Sequence, residues 1–284
     1  MTPTLVRHHA TRPGRMPRVD PWARARDWSE IQERMLVPLY EAVHDRLEVG
    51  AGTRLLGLGC GSGLALLLAA NRGAAVTGVD ASPELLDLAR ERLLPRPAAS
   101  RARGGVRLVE GAVRDAGGAR GGPYTVLTAF DPFGWPADDP ADPAGRLAEA
   151  VPLARRGAAV VLAGWGPPER CATSSVLRVA TKLADPLRGG AGWRPARRDD
   201  LEQVAERAGL RPDGSGRVAC PFGYADLDSA VRGLLSTGAY DAATAASDRA
   251  QVDKELMEAL HPYVRDDGTV WMPNVFRYLV ARTP

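Results

Sequence analysis

The chain has 284 residues, 45% apolar and 25% charged, which suits one α/β core with insertions and needs no disulfide or metal staple. Its net charge of +3 sits at one end: residues 1–18 carry Arg7, Arg12, Arg15 and Arg18 without an acid, and the remainder sums to −1. That distribution argues against a nucleic-acid groove, which needs a concentrated basic patch on a folded surface.

Cys60, Cys171 and Cys220 are odd in number, far apart and form no CxxC, which argues against a disulfide framework and a zinc site; no metal is expected. No window holds 18 apolar residues, so no membrane partner is expected. The first 15 residues lack the apolar centre of a signal peptide, and a cytoplasmic location is the expectation.

In chain order, residues 1–20 read as a disordered, Arg- and Pro-rich tail. Trp28, Ile31, Met35, Leu39 and Val43 recur every three or four residues and predict a helix within 22–47. A strand–helix rhythm follows: strand 53–58, helix 64–71, strand 75–79, helix 84–94, strands 106–109 and 124–130, helix 144–154 and strand 158–163. Ser82 and Pro83 have the chemistry of an N-cap and first helical residue. Such alternation predicts a doubly wound, parallel α/β sheet. Beyond it come helices 174–183, 199–208, 227–235 and 247–261, a short strand at 218–220 and a final strand-like run at 270–281. The expected organisation is a single domain over 21–284. Its core is 48–164, 197–220 and 270–284, and the N-terminal helix with insertions 165–196 and 222–268 forms a cap.

The sharpest chemical signal is Leu55-Leu56-Gly57-Leu58-Gly59-Cys60-Gly61-Ser62-Gly63. An apolar strand enters a glycine turn and a helix begins at once, so bare backbone and exposed N–H groups face a ligand. Asp80, 21 residues after Gly59 at the end of the second strand, is placed to accept hydrogen bonds from ribose hydroxyls. The pattern is GxGxG, with Leu64 where a dinucleotide fingerprint would have its third glycine.

This segment resembles the first motif of class I S-adenosylmethionine (SAM)-dependent methyltransferases. The resemblance implies a Rossmann-like sheet of seven strands, the last antiparallel, with SAM as cofactor and S-adenosylhomocysteine (SAH) as product. It implies a cofactor site of Gly59, Cys60, Gly61 and Gly63, Asp80 and Ala81 at the ribose, Ala112 and Val113 at the adenine, and Phe130 near the methyl group. Trp28–Tyr40 is similar to an N-terminal helix of this group, and 221–227 and 274–280 to its C-terminal pattern. Two residues depart from it: Gly57 stands where the first motif has an acid, and Ala112 where the third-strand motif has Asp.

The implied reaction is in-line methyl transfer to a small-molecule acceptor, in specialised metabolism, with the acceptor atom held about 3–3.5 Å from the methyl carbon. Asp131, just past the fourth strand, and His261, at a helix end, are the candidate bases. Trp28, Tyr40, Phe133 and Trp135 are candidates for an aromatic wall around the acceptor. His44 reads as a helix-surface residue, and Tyr224, Trp271 and Tyr278 as core. Gly57 and Ala112 keep open a methyltransferase-fold protein that catalyses a non-methylating cyclisation or isomerisation, or an inactive SAM-binding subunit. The partner expected is a small molecule; a homodimer stays open.

Overall fold

A computed structural model of the chain describes residues 20–94, 105–117, 123–130, 143–184 and 196–284. The basic tail therefore lies outside the described residues, as do Asp131, Phe133 and Trp135. Nine strands are described: β1 (Arg54–Leu58), β2 (Ala75–Asp80), β3 (Val106–Glu110), β4 (Tyr124–Ala129), β5 (Ala154–Trp165), β6 (Arg211–Ala219), β7 (Phe222–Tyr224), β8 (Val270–Met272) and β9 (Val275–Arg282). Seven of them form one sheet in the order β3-β2-β1-β4-β5-β9-β6. β1 to β5 run parallel, and β9 is antiparallel to both β5 and β6. β7 and β8 make a small antiparallel ladder.

The helices are α1 (Pro21–Asp27), α2 (Val37–Arg46), α3 (Leu64–Asn71), α4 (Pro83–Leu93), α5 (Pro143–Ala150), α6 (Thr173–Leu183), α7 (Asp200–Arg207), α8 (Leu227–Ser236), α9 (Asp241–Ala246) and α10 (Arg249–Leu260). α4 begins as its sequence dictates: Ser82 Oγ accepts the Leu85 N–H at 3.2 Å. Ser82→Ala is expected to cost about 1 kcal/mol, read as a shift of the urea midpoint; an unchanged midpoint would show that the cap does not matter.

β1 is apolar because both faces of the sheet are covered. Leu55 joins one buried cluster and Leu56 and Leu58 the other. Gly57 and Gly78 are partners in register on β1 and β2. Together they leave a trough in the sheet face, which α3 and the glycine turn fill. A Cβ at Gly78 would lie 2.5 Å from Leu66 Cδ1 and 2.7 Å from Cys60 Sγ.

Several expectations are revised. The predicted N-terminal helix is interrupted: after α1 the chain makes a π-helical turn, Trp28–Gln32, then a 3-10 turn, Glu33–Leu36, before α2 resumes. The strand expected at 218–220 runs from Arg211, although Pro212-Asp213-Gly214-Ser215-Gly216 reads as a loop. It is an edge strand, and at Gly216 the Tyr278 ring of β9 takes the space of a side chain (a Cβ would lie 2.4 Å from Cζ). The final run splits at Pro273-Asn274 into β8 and β9, and α9 was not foreseen. His44, expected on a surface, is fully buried on α2, because that face of α2 packs into the core. Trp271, expected in the core, is 40% exposed, lies across Gly223 and carries Arg265 over its ring at 4.6 Å.

The two insertions pack on each other, α6 against α9 and α10, and α8 packs on α1 and the π-helical turn. Polar ties hold that seam, among them the ion pair of Arg232 with Asp27. Tyr224 Oη donates to Gln32 Oε1 at 2.9 Å, and Arg24 bonds Ser236 O at 3.2 Å and Asp241 Oδ2 at 2.8 Å. Among the described residues no helix is long and apolar enough to cross a membrane.

Candidate cofactor site

The site lies at the carboxyl edge of the parallel strands, where strand order reverses between β1 and β4. That is the position ligands take in open α/β sheets. The turn after β1 passes through Gly59 (φ +62°), Gly61 (φ +55°) and Gly63 (φ +79°), a left-handed backbone that glycine adopts without cost. Gly59 is exposed, and nothing lies within 4 Å of where its Cβ would be.

Asp80 ends β2 beside this turn. Its Oδ2 accepts the Gly61 N–H at 2.8 Å and its Oδ1 the Ser82 N–H at 3.0 Å. Burial pushes its carboxyl upward in pKa, and the amides of Ser82 and Gly61 oppose that. Each oxygen keeps lone-pair capacity for a further donor. Just past β3, the Ala112 N–H donates to Asp115 Oδ2 at 3.0 Å. Asp115, three residues on, is thus turned back onto its own loop.

The floor of the site was not visible in the sequence. Glu33 is 2% exposed beneath the turn. Its Oε2 accepts from Ser62 Oγ and from Arg92 Nη1, the latter at 2.7 Å, and its Oε1 faces the Leu64 N–H at 3.4 Å. Arg92 also donates to Ser62 O at 2.9 Å and Ser29 Oγ at 2.8 Å, fastening α4 and the π-helical turn to the glycine turn. Burial raises the Glu33 carboxyl above its ordinary range, against the lowering pull of Arg92. An apolar-stripe reading passes over a charged residue, and nothing local to Glu33 marks it for burial.

Between floor and turn lies a cavity of about 30 Å³, lined by Trp28, Glu33 and Tyr40, by Gly57–Gly61, by Ala65 and Leu66, and by Thr128 and Phe130. Tyr40 and Phe130 pack with ring centroids 5.0 Å apart. The cavity is the size of one water, so admitting a larger group requires its walls to turn. Burial first, then the charges of Asp80 and Glu33, push the Cys60 thiol far up, which leaves it neutral.

The structure thus brings together Trp28, Tyr40, Gly59, Cys60, Gly61 and Phe130 around the cavity, with Asp80 hydrogen-bonded to the turn. Gly63, half a turn further, opens α3. Ala81 and Ala112 follow the ends of β2 and β3, and Val113 is buried in the core behind them. His261 is exposed in the turn after α10 and is not among the cavity's lining residues, a placement that suits a helix-end histidine.

An adenosyl cofactor fits this donor set at its ribose end. Gly59 offers bare backbone to open space, and Asp80 is a partly exposed acceptor fixed beside it.

The strand order with one reversed strand, the glycine turn and the acid of β2 define the fold of class I SAM-dependent methyltransferases. Residues 55–151 match the model of the family described as methyltransferase domain. Over 44 residues the chain is 50% identical to the magnesium-protoporphyrin O-methyltransferase of Rhodobacter capsulatus. That match covers 16% of this chain and spans 20% of the length of that relative. Among solved structures, YcgJ of Bacillus subtilis superposes with a TM-score of 0.54 at 15% identity, over 89% of this chain and 100% of that one. YjhP of E. coli gives 0.53 at 19% identity, over 92% and 99%. A Bacillus halodurans protein put forward as a methyltransferase gives 0.52 at 14% identity, over 86% and 98%. These three likenesses are of fold.

Proposed function

We propose that the chain transfers a methyl group from SAM to a small-molecule acceptor of specialised metabolism. The observation that carries this reading is Asp80, fixed by the Gly61 and Ser82 amides at the carboxyl edge of β2 beside the open backbone of Gly59. The fold and the methyltransferase domain of residues 55–151 support it.

When bound, SAM supplies a methyl group made electrophilic by its sulfonium. Asp80 accepts the ribose hydroxyls and so fixes the cofactor relative to the turn. Trp28, Tyr40 and Phe130 present aromatic surface at the cavity, where it excludes water and favours a positive charge. Asp131, Phe133 and Trp135, outside the described residues, are the candidate acceptor contacts read from the sequence. His261, exposed in the turn after α10, is the other candidate proton acceptor.

Calorimetric titration with SAM and with SAH tests the reading. Micromolar affinity for both is expected. Asp80→Ala is expected to weaken SAH at least tenfold, since hydrogen bonds to a charged group contribute about 1.5–3 kcal/mol each. Failure to bind either ligand would refute the methyltransferase reading, and undiminished affinity in the variant would remove Asp80 from the ribose role.

A non-methylating use of the same fold is the second reading. It is favoured by the packing of Leu66 against Gly57 and by the diversion of Asp115 to the Ala112 amide. Turnover of an acceptor without one SAH per product would select it.

A further inference from the structure

We infer that Glu33 takes over the part of the missing β1 acid, offering its Oε1 to the ammonium group at the methionyl end of the cofactor. The inference rests on the proposed function and deepens it.

An acid side chain at residue 57 would have to displace Leu66. The Cβ direction of Gly57 is occupied by Leu66 Cδ2 at 3.0 Å, with Cys60 Cβ and Thr128 Oγ1 each at 3.7 Å. The cavity beside Gly57 nevertheless has an acid in its wall, and among its lining residues that acid is Glu33 alone. It arrives from the opposite side, carried by the N-terminal segment. Glu33 Oε1 lies 3.3 Å from where a Cβ of Gly61 would be, so the carboxylate is pressed against the turn itself.

The two oxygens are not used alike. Oε2 takes the Ser62 hydroxyl and the Arg92 guanidinium, which fix the carboxylate and balance its charge. Among the described residues Oε1 accepts one long hydrogen bond, 3.4 Å from the Leu64 N–H. A carboxylate oxygen has about two acceptor sites, so Oε1, beside Gly61, keeps the capacity for a strong donor. A buried carboxylate with one oxygen anchored and the other under-used suits a cationic donor.

The other acids nearby are committed elsewhere. Asp80 is held at the ribose end by the Gly61 and Ser82 amides, and Asp115 by Ala112. The local backbone explains how Glu33 gets there. The π-helical turn at Trp28–Gln32 and the 3-10 turn that follows shift the register of the helix, so that Gln32 and Glu33 both point inward where a regular amphipathic helix buries apolar residues. Such irregular turns are frequent at functional sites.

Calorimetry with two ligands separates this role from a structural one. SAH carries the amino-acid arm, and 5′-methylthioadenosine lacks it. Glu33→Gln is expected to weaken SAH at least tenfold while leaving methylthioadenosine within twofold. Equal losses for both ligands, or no loss for SAH, would overturn the assignment. Because Glu33→Gln leaves Arg92 without its buried partner, the same pair of titrations is made on Glu33→Gln combined with Arg92→Met, which buries no lone charge. The same selective loss of SAH is expected there, and an unselective loss would overturn the assignment. A wild-type chain that binds SAH no better than methylthioadenosine would overturn the role of Glu33 and leave the proposed function standing. Binding of neither ligand would overturn both.

Discussion

Restoring the missing acid, Gly57→Asp, is expected to destabilise the chain by about 3–5 kcal/mol and to leave SAH affinity no higher than in the wild type. The first cost is steric. A Cβ at residue 57 meets Leu66 Cδ2 at 3.0 Å, and Leu66 is itself lodged in the trough above Gly78. Overpacking of this kind costs about 1–3 kcal/mol. The second cost is electrostatic. The new carboxylate would enter a cavity of about 30 Å³ whose wall already holds Glu33, and taking a charge out of water costs several kcal/mol per ion unless it is paired. A thermal melt should show a midpoint lower by roughly 10 °C. If the variant melts with the wild type and binds SAH more tightly, the trough is more yielding than its packing implies and the absence of the acid has no structural reason.

The second large effect concerns pH. His44 is fully buried on α2, edge-on to Phe130 at a centroid distance of 6.5 Å, and among the described residues neither ring nitrogen has a hydrogen-bond partner. Burial first, and then the charge of Arg72, lower its pKa from 6.5 to about 4, with Asp45 pulling weakly the other way. The folded state therefore binds fewer protons than the unfolded chain wherever this histidine titrates. The stabilisation is fully present above about pH 6.5 and is lost as pH falls towards about 4. The loss amounts to about 2 kcal/mol at pH 5 and about 3 kcal/mol at pH 4. His44→Leu has no proton to take up. Its unfolding free energy in urea should match or exceed that of the wild type at pH 7.5 and fall about 2 kcal/mol less on going to pH 5. Parallel losses in the two proteins would mean that other groups govern acid unfolding.

The sequence displays these features unevenly. The strand–turn–helix at Leu55–Asn71 and the acid at Asp80 were legible because their chemistry is local: alternating strands, a glycine turn and an N-capped helix each announce themselves within a few residues. β6 was almost hidden. Its glycines and Pro212 read as loop, and only pairing with β9 and the Tyr278 ring over Gly216 make it a strand. His44 reads as a surface residue, and Glu33 passes without a reading, for a related reason. Hydropathy places polar residues outside, whereas the π-helical turn and the packing of α2 put these two inside. Burial of a polar group is decided by partners distant in sequence, here Ser62 and Arg92, and no window of the chain contains them all.

The reversed strand carries a lesson about how such a chain comes to exist in a cell. β9 fills the slot between β5 and β6, yet it begins at Val275, 56 positions after β6 ends at Ala219. During synthesis β5 and β6 leave the ribosome well before the strand that joins them, and each has an open row of backbone donors and acceptors for as long as that takes. At about 5–20 residues per second the wait is several seconds. Through that interval the nascent chain is a half-built sheet with adhesive edges, so its yield in the cell should depend on translation speed and on chaperones as much as on the stability of the finished fold.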